Sequence, residues 1–468
     1  MKCIVIGAGN AGRPVARILN HQKYDVTITD SKNFEDFNDN SRSFLKIMED
    51  EGINLLLNNK TPDIENYDCA YLAPSIPKSS EIYKKISQKN IEIISNEKIC
   101  NMISSCIPVD IIGITGTMGK TTTTFLTDKL FKAAGYKTWT CSSLVHNVVS
   151  EAIVDGIIDG TAANSDIAIF ELPHGTIGLL KTLPVKIGLL TNLDGDHLKE
   201  FDGSIEKYIE RKLILENSSE IFISNNKCRN ETSKLRDDCL YYGMIEDIED
   251  SDIIGRSFDD SLEIKYHINE NISGKFETEF HMKSYFYENA VGASAIALTY
   301  GVSEEDIIKS LTEFKGLPVH MEYFGEYNGR KIILDAAFLE AGMIKTLEYF
   351  SDDRIVLFLD HFDTETERNK KEVGALCGKY ADVIIASAYN EETKAVETDA
   401  AQELLDGVEN PDVIKVLAEN ITEAAELTFK YSKPGDVILH MGPVIAYLRK
   451  PTTEKIREGI ESGSKKYK

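Results

Sequence analysis

The sequence predicts an α/β protein of three domains built on largely parallel sheets. Apolar runs of strand length alternate with amphipathic helical patterns along most of the chain. Two glycine-rich turns each join such a strand to a helix, and 468 residues at about 150 per domain fit three units. With 42% hydrophobic and 27% charged residues the composition is that of a globular chain, which sets aside wholesale disorder. No repeat with a period of about 20 to 50 residues is found, so a solenoid is not supported.

The first unit, residues 1–108, opens with a strand from Lys2 to Ile6, the turn Gly7-Ala8-Gly9-Asn10-Ala11-Gly12, a helix to about Asn20, and a strand from Tyr24 to Thr29 ending at Asp30. Further strands are expected at Asp68 to Ala73, before Pro74-Ser75-Ile76-Pro77, and at Ile91 to Ile94. This pattern is Rossmann-like. The second unit, residues 109–318, begins with the strand Asp110 to Ile114 and a helix from Lys120, with strands at Ile167 to Phe170, Ile187 to Leu190 and Ile221 to Ser224. Ile245 to Ile264 is acidic and irregular and reads as a solvated excursion near a strand. Helices from Tyr287 to Tyr300 and Glu304 to Glu313 lead to the turn Gly316-Leu317-Pro318. The third unit, residues 319–468, again alternates, with strands at Lys331 to Leu334, Ile355 to Leu359, Val383 to Ala386 and Val437 to His440, and is likewise expected to be Rossmann-like. After Pro451 a helix with a basic end reads as a frayed terminus.

Charge excludes some partners. Against 52 Lys and Arg stand 76 Asp and Glu, a net of −24, which opposes binding to nucleic acid or an anionic membrane through bulk charge. The start MKCIVIGAGNAG lacks a signal-peptide cleavage pattern, and no run of about 18 apolar residues occurs. The eight cysteines are scattered without a CxxC, so buried thiols of a cytoplasmic protein are expected.

Gly7-x-Gly9-x-x-Gly12 lets backbone amides approach a phosphate at a helix N-terminus, and Asp30 stands where an acid holds a ribose hydroxyl. A dinucleotide site, a site for another anionic ligand, and a turn kept for packing all remain open. The second turn is sharper. Gly113-Ile114-Thr115-Gly116-Thr117-Met118-Gly119-Lys120-Thr121-Thr122-Thr123 is a P-loop between strand and helix, although the first glycine of the strict GxxxxGK[ST] pattern is Ile114. Its amides suit phosphates, Lys120 the β and γ oxygens, and Thr121 a magnesium ion. Downstream lie Glu171 after an apolar strand, Thr191-Asn192-Leu193-Asp194-Gly195-Asp196-His197-Leu198, and Lys212 fifteen residues past His197. Singly these read as a strand-end acid, a turn histidine and a helix lysine.

Together, TGTxGKTT, the acid after a strand, TNxxxDHL and the spaced lysine resemble the central domain of the Mur ligase family of ATP-dependent amide-forming ligases. The first domain, with its glycine turn and Pro74-Ser75-Ile76-Pro77, looks like that of the family's muramoyl-alanine:glutamate ligases. Gly316-Leu317-Pro318-Val319-His320-Met321-Glu322 is similar to the family's GLPHRxE hinge. The resemblance implies ATP and Mg2+ as cofactors and a small-molecule substrate whose carboxylate attacks the γ-phosphate to give an acyl phosphate. It implies ATP contacts from Gly116, Thr117, Gly119, Lys120, Thr121, Thr122, Asn289, His320 and Asp335, and catalytic roles for Lys120, His197 and Lys212. It places magnesium on Thr121 and Glu171, and a second magnesium on His197 and a carbamylated Lys212. Substrate would meet Gly7, Gly9, Asn10, Gly12, Asp30 and Ser75. Asn147 matches the asparagine of the family's glycine-asparagine turn.

Departures mark where the resemblance stops. His320 replaces the hinge arginine, Phe286 replaces an asparagine, and Ala336-Ala337-Phe338-Leu339-Glu340-Ala341-Gly342 replaces the third-domain DxAHNP or DSKATN signature. Leu439-His440-Met441-Gly442-Pro443 also differs from the stretch that meets an incoming amino acid. The combination is similar to an archaeal branch of the family that activates a propionate of a nickel tetrapyrrole and closes it into a carbocycle. The competing reading is a murein or pseudomurein peptide ligase. A noncatalytic nucleotide-binding relative is opposed by Lys120, Thr121, Glu171, His197 and Lys212 occurring together, and nothing in the later domains supports the hydride chemistry of an NAD-dependent oxidoreductase. His361 and His440 read as satisfied structural histidines.

Overall fold

Three parallel-rich sheets, drawn from successive stretches of chain, and a two-stranded ribbon organise the molecule. The computed structural model describes residues 1–89, 91–194, 198–245, 251–282, 284–360, 369–442 and 446–467. In the first sheet the order is Asn54–Leu56, Asp25–Thr29, Lys2–Ile6, Cys69–Leu72 and Glu92–Ile93, all parallel. Lys2–Ile6 reads as an uninterrupted apolar run because both its faces are covered: Cys3 and Val5 join one core, Ile4 and Ile6 another.

The second sheet has nine strands. At its centre Asp110–Thr115 lies between Val185–Leu190 and Ile167–Glu171, all parallel, so the three carboxyl ends converge on one edge. Helices Lys120–Ala133 and Phe286–Tyr300 pack together over it. Toward the far edge the sheet turns antiparallel through Ile253–Phe258, Ser261–Asn269 and Ile272–Glu279. This corrects the expected excursion for its described part. Ser261–Asn269 buries Leu262 and Ile264 and turns Glu263 and Lys265 outward, the alternation of a strand covered on one face. Residues 246–250 of that stretch lie outside the described residues.

In the third sheet the order is Glu322–Tyr327, Arg330–Asp335, Val437–Met441, Ile355–Leu359, Val383–Ser387 and Ile414–Ala418, antiparallel only in the first pair. Helices Glu340–Tyr349, Lys370–Cys377 and Thr398–Asp406 share a core with Ile333, Leu357 and Leu439 on one face. Helices Ile421–Tyr431 and Ala446–Lys466 cover Leu334, Phe358 and Ile438 on the other. The last helix corrects the frayed tail: it runs through Pro451 and buries Ile456 and Ile460. Gly459 lets it close on its neighbour, since a Cβ there would stand 2.2 Å from the Thr422 carbonyl oxygen.

Charged contacts join the three sheet regions. Buried Arg13 reaches Glu151 at 2.5 Å, linking the first helix to the second region. Lys345 stands 3.6 Å from Glu288, and the Tyr447 amide donates to Asn147 Oδ1 at 3.1 Å, linking the second region to the third. All eight cysteines are free thiols, and seven of them are buried. Among the described residues no helix is long and apolar enough to cross a membrane.

Candidate active site

The loop between Asp110–Thr115 and Lys120–Ala133 is shaped by its glycines. Gly116 has φ +141° and a Cβ there would lie 1.9 Å from Thr191 Oγ1; Gly119 has φ +77° and its Cβ would meet Asn289 Oδ1 at 2.5 Å. Asn192 holds the loop: its Oδ1 accepts from the amides of Thr117 at 3.1 Å and Met118 at 2.9 Å. Lys120 Nζ donates to the Thr117 carbonyl at 2.6 Å, which folds the ammonium back over the loop. Thr122 is buried in the helix behind it.

Glu171 ends the neighbouring strand and is buried. It accepts from Ser142 Oγ at 2.7 Å and from the Ser143 amide at 2.9 Å, and Thr121 Oγ1 stands 3.2 Å from both its oxygens. A carboxylate and a threonine hydroxyl thus converge at the start of the P-loop helix, the donor set that suits Mg2+. Ser142 and Ser143 were missed in the sequence. Their signal was positional, because they follow Thr138–Cys141 at the same carboxyl edge. Lys212 closes the helix Ile205–Lys212 with a buried side chain, its Nζ 5.2 Å from the Tyr208 ring centroid. Tyr208 OH lies 2.9 Å from Thr117 Oγ1, so the lysine is tied to the loop through one tyrosine. His197 lies outside the described residues.

Asn289 faces the loop. Its Oδ1 accepts from Thr123 Oγ1 at 3.3 Å, while its buried Nδ2 has no partner among the described residues. A buried amide donor left open beside a phosphate-type loop fits a ligand acceptor. The loop amides, Lys120, the Thr121 and Glu171 pair and this orphan donor together fit ATP with Mg2+.

From the third region, Asp335 is buried and engaged by its own surroundings. It accepts from Thr346 Oγ1, from Tyr285 OH at 3.2 Å and from the Met321 amide at 3.3 Å. Burial pushes its carboxyl up from the usual aspartate range, against the lowering effect of Thr346. His320 sits between Val319 at φ +54° and Met321 at φ +45°, a backbone that β-branched valine adopts rarely, and its Nδ1 lies 2.8 Å from the Pro318 carbonyl oxygen. The segment that replaces the usual signature comes close to the loop: a Cβ on Gly342 would stand 3.3 Å from Met118 Sδ.

The first-region glycine turn is largely self-satisfied. Asp30 Oδ2 accepts from the Ala8 amide at 2.8 Å and Oδ1 from the Lys32 amide at 3.0 Å. Arg13 donates to Asn10 Oδ1 at 2.9 Å, and a Cβ on Gly12 would fall 1.8 Å from the Gly7 carbonyl oxygen. Close packing therefore accounts for Gly12. Gly9, Asn10 and Ser75 are exposed near the carboxyl ends of the paired strands Lys2–Ile6 and Cys69–Leu72.

Residues 114–297 match the model of the Mur ligase middle domain. An uncharacterized protein of Methanothermobacter thermautotrophicus is 35% identical over 217 residues, 46% of this chain and 69% of that protein. The UDP-N-acetylmuramoylalanine–D-glutamate ligase of Alkaliphilus metalliredigens is 27% identical over 350 residues, 72% of each chain. A pseudomurein peptide ligase type C from Methanothermus fervidus superposes with a TM-score of 0.61 at 20% identity, covering 98% of this chain and 99% of that one. MurF ligase from Thermotoga maritima, in complex with ADP, gives 0.62 at 16% identity over 94% of this chain and 95% of that one. The chain is an ATP-dependent ligase, and it belongs to the Mur ligase family.

Proposed function

We propose that this ligase uses ATP to activate a propionate carboxylate of a nickel tetrapyrrole and closes it onto a carbon of the same molecule, the reaction of a coenzyme F(430) synthetase. The observation that carries the reading is the segment after Asp335. Ala336, Ala337, Phe338 and Leu339 stand between the carboxyl end of Arg330–Asp335 and the helix that reaches the P-loop. An amino-acid nucleophile would need ionic partners for its carboxylate and ammonium, and these four side chains offer none. An internal carbon nucleophile needs no such site.

In this reading Gly116, Thr117, Gly119, Lys120, Thr121 and Thr122 hold the ATP phosphates, with Asn289, His320 and Asp335 on the nucleotide's other contacts. Thr121 and Glu171 hold one Mg2+; His197 and a carbamylated Lys212 hold a second. Bound Mg2+ screens the repulsion between carboxylate and γ-phosphate and stabilises the charge spreading over the transferred group. Lys120 supplies a fixed positive charge at the loop, and Lys212, buried at the end of the helix Ile205–Lys212, would carry the carbamate. Gly7, Gly9, Asn10, Asp30 and Ser75 line the substrate side, with Gly12 packing the turn beneath them. The units are residues 1–108, 109–318 and 319–468, acting in the cytoplasm on a small carboxylate substrate.

The second reading is a cell-wall peptide ligase, favoured by relatives that are named for adding D-glutamate or building pseudomurein peptides. Turnover separates the two: ADP release is expected with a nickel tetrapyrrole acid and not with UDP-muramoyl or pseudomurein precursors plus amino acids. Release with only the latter overturns the first reading. Lys120→Ala should abolish substrate-dependent ADP release, and full retention would exclude the P-loop as the reacting site.

A further inference from the structure

His440 and Asp360 stand at the carboxyl ends of two adjacent strands in the middle of the third sheet, where Val437–Met441 pairs with Ile355–Leu359. The chain leaving Val437–Met441 enters a helix on one face, while the chains leaving its neighbours Arg330–Asp335 and Ile355–Leu359 enter helices on the other. Such a divergence marks the carboxyl edge at which open α/β sheets take their ligands. Contacts at this edge turn it toward the P-loop region: Asp335, one strand away, accepts from Tyr285, and Tyr447, just past His440 in the chain, is held by Asn147.

The pair is built, not incidental. His440 Nε2 lies 3.1 Å from Asp360 Oδ1, with both side chains 1% exposed. Gly442 leaves room for the carboxylate, since a Cβ there would sit 2.5 Å from Asp360 Oδ1. A carboxylate only accepts, so Nε2 donates to Asp360, and in the neutral imidazole the lone pair is on Nδ1. Among the described residues that Nδ1 is buried with no hydrogen-bond partner, and so is Oγ of Ser387 at the carboxyl end of the next strand. The satisfied structural histidine expected from the sequence is therefore not what the structure holds. A buried imidazole oriented by a carboxylate, with its other nitrogen open, is the arrangement of a proton acceptor.

We propose that His440 accepts the proton released when the nucleophile attacks the acyl phosphate, with Asp360 as its positioning residue. The inference rests on the carbocycle reading above. In that step the π electrons of the nucleophilic carbon form the new C–C bond, and the C–O bond to phosphate breaks with its pair leaving on phosphate. The C–H proton passes to Nδ1, and the C–H pair restores the conjugated system. No oxidant or reductant is needed.

The test compares full-length wild type, His440→Gln and Asp360→Asn with a nickel tetrapyrrole acid, ATP and Mg2+, reading two half-reactions. Hydroxylamine captures the activated carboxylate as a hydroxamate, and chromatography reads ring closure. Both variants should form hydroxamate within a few-fold of wild type while closure falls at least ~100-fold for His440→Gln. Thermal melting confirms folding, and imidazole added to His440→Gly should restore part of the closure. Closure at the wild-type rate in His440→Gln, or equal loss of both half-reactions in a variant that melts like wild type, overturns the inference alone. Absence of turnover by wild type overturns the carbocycle reading and this inference with it.

Discussion

Gly119→Ala is the sharpest perturbation of the nucleotide loop, because the structure gives each part of its effect. Alanine at φ +77° and ψ −10° sits in the left-handed region, at a cost of about 1 kcal/mol. Its Cβ would stand 2.5 Å from Asn289 Oδ1, so the amide must move and give up the 3.3 Å bond from Thr123, a further loss of about 1 kcal/mol. Asn289 is 5% exposed and packed against the helix, so its displacement adds strain. A total of about 2 to 3 kcal/mol against the binding-competent loop corresponds to about 30- to 150-fold weaker ATP binding. Isothermal titration with ATP and Mg2+ reads this directly. Asn289→Ala alone should weaken binding by removing an ATP contact, but in the Gly119→Ala background, where that amide is already displaced, it should cost about 1 kcal/mol less, which a double-mutant cycle reports as coupling. ATP affinity within about three-fold of wild type, with no coupling to Asn289, would refute the reasoning.

Three other perturbations follow from contacts already described. Arg13→Met leaves Glu151 buried without its cation and should destabilise the protein by about 3 to 5 kcal/mol in urea titrations, with Glu151→Gln in that background recovering most of it. Burial holds the Glu151 carboxyl above the ordinary glutamate range. Its contribution to stability is therefore full below the unfolded pKa and is lost as pH rises through the folded one, so denaturation midpoints should fall across that window in wild type and flatten in Glu151→Gln. For Lys212→Ala, activity should drop strongly and added short carboxylates should restore part of it; a variant as active as wild type would remove the carbamate from the account.

What the sequence disclosed and what it concealed differ for physical reasons. The P-loop was legible because Gly116 and Gly119 answer to backbone requirements that only glycine meets, and these show in one dimension. Glu171 was legible because a parallel strand buried on both faces reads as an apolar run, and its end marks the ligand edge. Ser261–Asn269 was hidden by its solvent face: Glu263 and Lys265 made it look acidic and irregular, although the buried alternation of Leu262 and Ile264 was there to be counted. Pro451 misleads in another way, since it reads as a helix boundary and lies inside a helix secured by tertiary packing. The grip of Ser142 and Ser143 on Glu171, and the Arg13 and Glu151 pair, join residues 28 to 138 positions apart, which no local pattern encodes. His440 was visible as a residue. Its open nitrogen was not, because that depends on which neighbours the fold brings to it.

The central claim is that a substrate carboxylate attacks ATP at the Lys120 loop. It is tested most directly by following oxygen from that carboxylate. With a nickel tetrapyrrole acid labelled with oxygen-18 in its propionate, phosphorus NMR of the released inorganic phosphate should show one labelled oxygen per turnover, since the phosphate leaves an acyl phosphate with a carboxylate oxygen attached. Turnover that yields only unlabelled phosphate would contradict the account.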